Sequence, residues 1–216
     1  MYEKRKEIMR EIRSLGLQTG DIFYNGSNVR GPLGIPFGGL VQYFTDSKYS
    51  HGTVILVEDD EYYAIDVSDY GTRKLRMIDW FDNWYVEDFC VFRLKEKKTG
   101  DEIMFRNAIY RFLMEDPSYD YTFSDDQKYY CTESVKRIYA DVGYDLGGQY
   151  LVKDIVSWWF YPILLFGSLI TKFWSDASLP TKTPISIVGN EKKGMMASPL
   201  TRKLLSYDGK TFRKFD

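Results

Sequence analysis

Ser50-His-Gly-Thr-Val-Ile-Leu-Val57, then Glu58-Asp-Asp-Glu61, then Tyr62-Tyr-Ala-Ile-Asp-Val-Ser68 is the stretch whose reading decides the fold. Two runs rich in β-branched and aromatic residues flank an acidic turn, the pattern of an antiparallel hairpin. A loop of even length pairs Val57 with Tyr62 and Thr53 with Asp66. His51, Thr53, Asp66 and Ser68 then share one face, with Asp66 diagonal to His51. A slip of one residue turns Asp66 to the opposite face.

Outward from the hairpin, residues 22–24 read as a strand entered through Thr19-Gly20-Asp21, and residues 25–39 as a loop rich in Gly, Asn and Pro. A short helix is expected around residues 40–44. Residues 73–78 and 89–94 read as further strands, and residues 101–114 as a helix. Residues 131–142 give the clearest helical pattern: Val135, Ile138, Tyr139 and Val142 fall at i, i+3, i+4 and i+7, and Gly143 supplies the stop. The N-terminal residues 1–18 form a short exposed helix in this reading, with Ile8, Ile12 and Leu15 at helical spacing and Gly16 ending it. The tail from residue 177 is polar and basic and reads as a solvated end.

Counts of residue types narrow the chemistry. The chain has 216 residues, 44% of them hydrophobic and 28% charged, a globular composition. Its formal charge of −2 gives no overall electrostatic reason to bind nucleic acid. One histidine and two cysteines are too few for an ordinary zinc site or a disulfide framework, so neither metal nor cofactor is expected. An imidazole acting as general base has to be His51. The charged start of the chain, with no apolar run, does not read as a secretory signal, so a cytoplasmic setting with free thiols is expected.

Cys131 opens its helix, where unpaired main-chain N–H groups favour a thiolate and can hold an oxyanion. Packing as a small apolar side chain is the alternative use of such a cysteine. Cys90, within Phe89-Cys-Val-Phe-Arg-Leu94, reads as a strand residue of the core.

Four stretches together resemble a known superfamily: Thr19-Gly-Asp-Ile-Phe23, Tyr49-Ser-His-Gly-Thr-Val-Ile55, Tyr119-Asp-Tyr-Thr-Phe123 and Tyr130-Cys-Thr-Glu-Ser-Val135. They are similar to papain-like NlpC/P60 proteins, and histidine before cysteine resembles the circularly permuted branch, which holds YiiX-like proteins and relatives of lecithin:retinol acyltransferase. The resemblance implies an α+β fold over residues 19–143, an antiparallel sheet packed against the helix that bears the cysteine. It implies Cys131 as nucleophile, His51 as base, Asp66 as the group orienting His51, and Tyr119 near the oxyanion site, with Tyr121, Tyr129 and Tyr130 as rivals for that place. Family members often carry glutamate where this chain has Asp66. Glu133 matches the motif as well, with a first-turn carboxylate favoured by the helix dipole as its plainer role. The implied activity is that of a cysteine hydrolase or acyltransferase acting on an amide, ester or thioester, with a lipid-linked substrate compatible with the permuted branch.

Residues 144–216 are expected as a C-terminal extension of the single domain. Within it, residues 155–171 are uncharged and apolar, with Pro162 in the middle. Three readings stay open: a buried helix pair broken at the proline, an element touching lipid or an acyl chain, and a membrane span. Residues 155–174 are thus the candidate for peripheral membrane contact. A rival for the whole chain is an inactive module that uses the same fold to hold a lipid or partner.

Overall fold

Asp59 and Asp60 both adopt positive φ, 48° and 61°, in the computed structural model of this chain. Such a two-residue turn matches the twist of the strands that it joins and so fixes their register. That register pairs Glu58 with Glu61, Val57 with Tyr62 and Val54 with Ile65, as the sequence predicts. The structure describes residues 2–26, 39, 42–43, 45–68, 71–84, 88–118, 129–155 and 184–215.

The hairpin strands β2 (His51–Glu58) and β3 (Glu61–Ser68) lie within a seven-stranded antiparallel sheet. The other strands are β1 (Ile22–Asn25), β4 (Gly71–Arg76), β5 (Phe89–Leu94), β8 (Thr201–Tyr207) and β9 (Phe212–Lys214), and the order is β4-β3-β2-β1-β5-β8-β9. A separate pair joins β6 (Gln149–Tyr150) to β7 (Ile185–Ser186).

Alternation along the strands builds two cores. One face of the sheet, with Ile22, Tyr24, Val54, Leu56 and Ile65, packs on the helices Asp101–Glu115 and Cys131–Asp141. The other face, with Phe23, Ile55, Ala64 and Val91, is covered by α1 (Tyr2–Ser14) and α2 (Met77–Trp84). Ile8 and Ile12 of α1 are therefore buried, not set on an exposed helix. The helices at 101–115 and 131–141 are α3 and α4 below.

Two further expectations change. The strand read over residues 73–78 ends at Arg76, and Met77 starts α2, which carries Trp80 and Phe81 into an aromatic cluster with Phe23 and Phe89. The basic tail, read as a solvated end, supplies β8 and β9. Leu204, Leu205 and Tyr207 are buried, while Arg213 and Lys214 line the outer strand, where charge discourages pairing with another chain.

Gly20 and Asp21 brace this sheet. Gly20 has φ 91°, and a Cβ there would sit 3.0 Å from the Phe105 ring, so only glycine fits the approach of α3. Asp21 is fully buried and takes two parallel bonds from Arg93, Nε to Oδ1 at 2.9 Å and Nη2 to Oδ2 at 2.7 Å. The main-chain N–H of Gln18 donates to the same carboxylate at 2.9 Å. Lysine keeps the charge at position 93 but not the fork. Arg93→Lys is therefore expected to lower stability by about 1–2 kcal/mol in urea unfolding, and an unchanged midpoint would remove this role from the pair.

Among the described residues no helix is long and apolar enough to cross a membrane. Residues 156–183, and with them nearly all of the apolar stretch, lie outside those described.

Candidate active site

Cys131 is the first residue of α4, whose N-cap, Tyr130, is extended (φ −103°, ψ 167°) and makes no side-chain cap. The helix drives Val135, Ile138 and Tyr139 into the core against β2 and β3. Glycine at position 52 permits this approach: a Cβ there would meet the Tyr24 ring at 3.2 Å and Val135 Cγ2 at 3.5 Å. The Cys131 sulfur consequently reaches the end of β2 and donates to the Ser50 carbonyl at 3.8 Å. His51 is the next residue.

His51 itself lies on the α2 face of the sheet, with its ring 6.3 Å from that of Trp80. Its Nε2 is 2.8 Å from Asp66 Oδ1, the diagonal contact expected from the hairpin register. Asp66 thus holds the imidazole on this face, and the Cys131 sulfur lies at the carbonyl of the preceding residue. Burial disfavours the imidazolium. The charge of the Cys131 sulfur and the hydrogen bonds of Asp66 and Cys131 outweigh it and push His51 up to about 10.

Asp66 is fully buried. Its Oδ1 also receives the Trp80 indole N–H at 3.4 Å, and its Oδ2 receives Arg73 Nη2 at 3.1 Å. Burial alone raises this carboxyl. The bonds and charge of His51, then of Arg73, outweigh that and hold it below the usual carboxylate range.

Sequence reasoning missed several of these neighbours. Arg73 lies directly across the β3–β4 ladder from Asp66, and Trp80 reaches it from α2. Met77, Trp80 and Phe81 stand at i, i+3 and i+4, the spacing that marks α2. On the cysteine side, the Tyr130 hydroxyl accepts from the Ser186 N–H and Thr132 Oγ1 donates to the Ser186 carbonyl at 2.8 Å. Side chains on either side of Cys131 therefore grip β7, a contact with no local signal in the sequence.

Cys90 is fully buried in β5, and burial pushes its thiol up to about 12. Tyr119 lies outside the described residues. Glu133 sits in the first turn of α4.

A family model described as permuted papain-like amidase enzyme, YaeF/YiiX, C92 family, matches residues 17–161. Among solved structures, the crystal structure of a protein described as metalloprotein yiiX from Escherichia coli O157:H7 is similar at a TM-score of 0.65. That likeness covers 87% of this chain and 96% of the other, at 21% identity, and it bears on the fold alone. No curated protein matches. The word metalloprotein describes that relative. Among the described residues of this chain, no group of three or more His, Cys, Asp or Glu is placed to hold a metal ion.

The family match spans more than half of the chain and runs through β1, the hairpin and the cysteine helix, so the chain belongs to the permuted papain-like amidase family and is an enzyme of a general hydrolase, amidase-like kind.

Proposed function

We propose that this chain is a cysteine-dependent hydrolase or acyltransferase working through Cys131, His51 and Asp66. The observation that supports the reading is that Cys131 Sγ lies at the carbonyl of Ser50, the residue before His51, while His51 Nε2 is 2.8 Å from Asp66 Oδ1.

In this reading His51 takes the thiol proton and the thiolate attacks the carbonyl carbon of an amide, ester or thioester. Main-chain N–H groups in the first turn of α4 stabilise the oxyanion, and Tyr119 is the proposed further donor. The tetrahedral adduct collapses, the leaving amine, alcohol or thiol departs with the proton from His51, and a thioester remains on Cys131. Water, or another acceptor in a transferase, then gives its proton to His51 and takes the acyl group. Asp66 fixes the ring and balances its charge at each stage. The apolar residues 155–174 favour a substrate that carries a lipid or acyl chain.

Acyl capture tests this reading. Native chain and Cys131→Ala are exposed to p-nitrophenyl esters and to acyl amides, and adducts are mapped by mass spectrometry. A thioester on Cys131, absent in the variant, is the expected result. No adduct, or equal turnover by the variant, would favour a lipid- or partner-binding module on the same fold.

A further inference from the structure

We propose that Arg73 is a positioning residue of this cluster, which anchors the Asp66 carboxylate through Oδ2 and tempers how tightly His51 holds its proton. Arg73 sits on β4, the edge strand of the sheet, directly opposite Asp66. The two oxygens of Asp66 have different tasks: Oδ1 faces His51 and Trp80, and Oδ2 takes Arg73 Nη2 at 3.1 Å. The Arg73 side chain is 27% exposed while that of Asp66 is 0% exposed. A partly hydrated cation therefore holds a fully buried anion.

The consequence concerns the half of the cycle in which His51 is neutral. A buried carboxylate without a cation is costly, so Asp66 paired to histidine alone would pin a proton on the ring. A ring that cannot release its proton cannot serve the leaving group. Arginine stays charged at any working pH, so Asp66 keeps a cationic partner whichever state His51 occupies. Among the described residues, the charged or titratable groups that face His51 and Asp66 include Cys131 of α4, Asp66 of β3 and Arg73 of β4. Trp80 of α2 contributes a neutral donor, and Asn25 of β1, opposite His51 in the ladder, is also neutral.

The catalytic meaning of Arg73 rests on the proposed function, but its effect on His51 is measurable without it. The chain has one histidine, so its ring signal in an NMR titration needs no assignment. The titration is run in a Cys131→Ala background, which removes the sulfur's charge. Adding Arg73→Gln is expected to raise the His51 midpoint by about one pH unit, because a positive charge near the ring is lost. Arg73→Met keeps the apolar stem and serves as a second neutral variant should the glutamine fail to fold. Arg73→Lys is expected to return the midpoint most of the way. A midpoint unmoved in a folded neutral variant, even one of lower stability, would overturn the proposal. Failure of acyl capture at Cys131 would overturn the nucleophile and leave this coupling standing.

Discussion

At pH 7 the Cys131 thiol of a His51→Ala variant is expected to react with iodoacetamide about 10²–10⁴-fold more slowly than in the native chain. The argument is local. The sulfur sits at the helix start beside Ser50, and the adjacent imidazole stays protonated far into the alkaline range, up to about 10, when the sulfur is charged. In the proposed mechanism His51 is the group that draws the proton from this sulfur, so its removal slows alkylation. The native rate should exceed that of the variant wherever an ordinary thiol, titrating at about 8.5, is still protonated. Cys90 is the internal control, because burial raises its thiol to about 12 and it should stay unmodified in both folded proteins. Equal Cys131 rates with and without His51, read by peptide mass spectrometry, would remove the base from the mechanism.

The parts of this site that were legible in the sequence are those set by short-range geometry. Asp59 and Asp60 form a two-residue turn, so the hairpin register, and with it the His51–Asp66 contact, follows from local chemistry. The same holds for α4, whose apolar spacing and terminal glycine define both its face and its length. Arg73 was not legible as a partner of Asp66, because its strand starts at Gly71, earlier than the turn residues suggest, and the pairing depends on that start. Trp80 carried helical spacing within α2, but only the sheet decides that α2 lies over the His51 face. The strand β8 is half hidden by its own composition: Arg202 and Lys203 interrupt the alternation, and a register shift between Val91 and Phe92 in β5 changes the pattern of inward residues. Contacts such as Tyr130 and Thr132 on Ser186 join residues more than fifty positions apart and leave no periodic trace.

Replacing Asp66 by alanine is expected to destabilise the fold by about 3–5 kcal/mol, the range for removing one partner from a buried ion pair. Three donors lose their acceptor at once: His51 Nε2, the Trp80 indole and Arg73. Asparagine keeps the shape and one acceptor oxygen but not the charge, so Asp66→Asn should lose less than alanine. The pH dependence has a definite sign at each end. The Asp66 carboxyl lies below its ordinary value in the folded chain, so its contribution is complete above the unfolded value of about 4 and fades as pH falls through the folded one. His51 is raised to about 10, so its contribution is complete below the unfolded value of about 6.5 and fades as pH rises through the folded one. Stability of the native chain should therefore decline toward both extremes. In Asp66→Asn the acid-side decline should become shallower, since one buried carboxylate no longer has to be protonated. Urea unfolding at a series of pH values measures both arms. A variant as stable as the native chain, with the same acid slope, would mean that His51 and Arg73 find other partners and that Asp66 does not hold the imidazole in place.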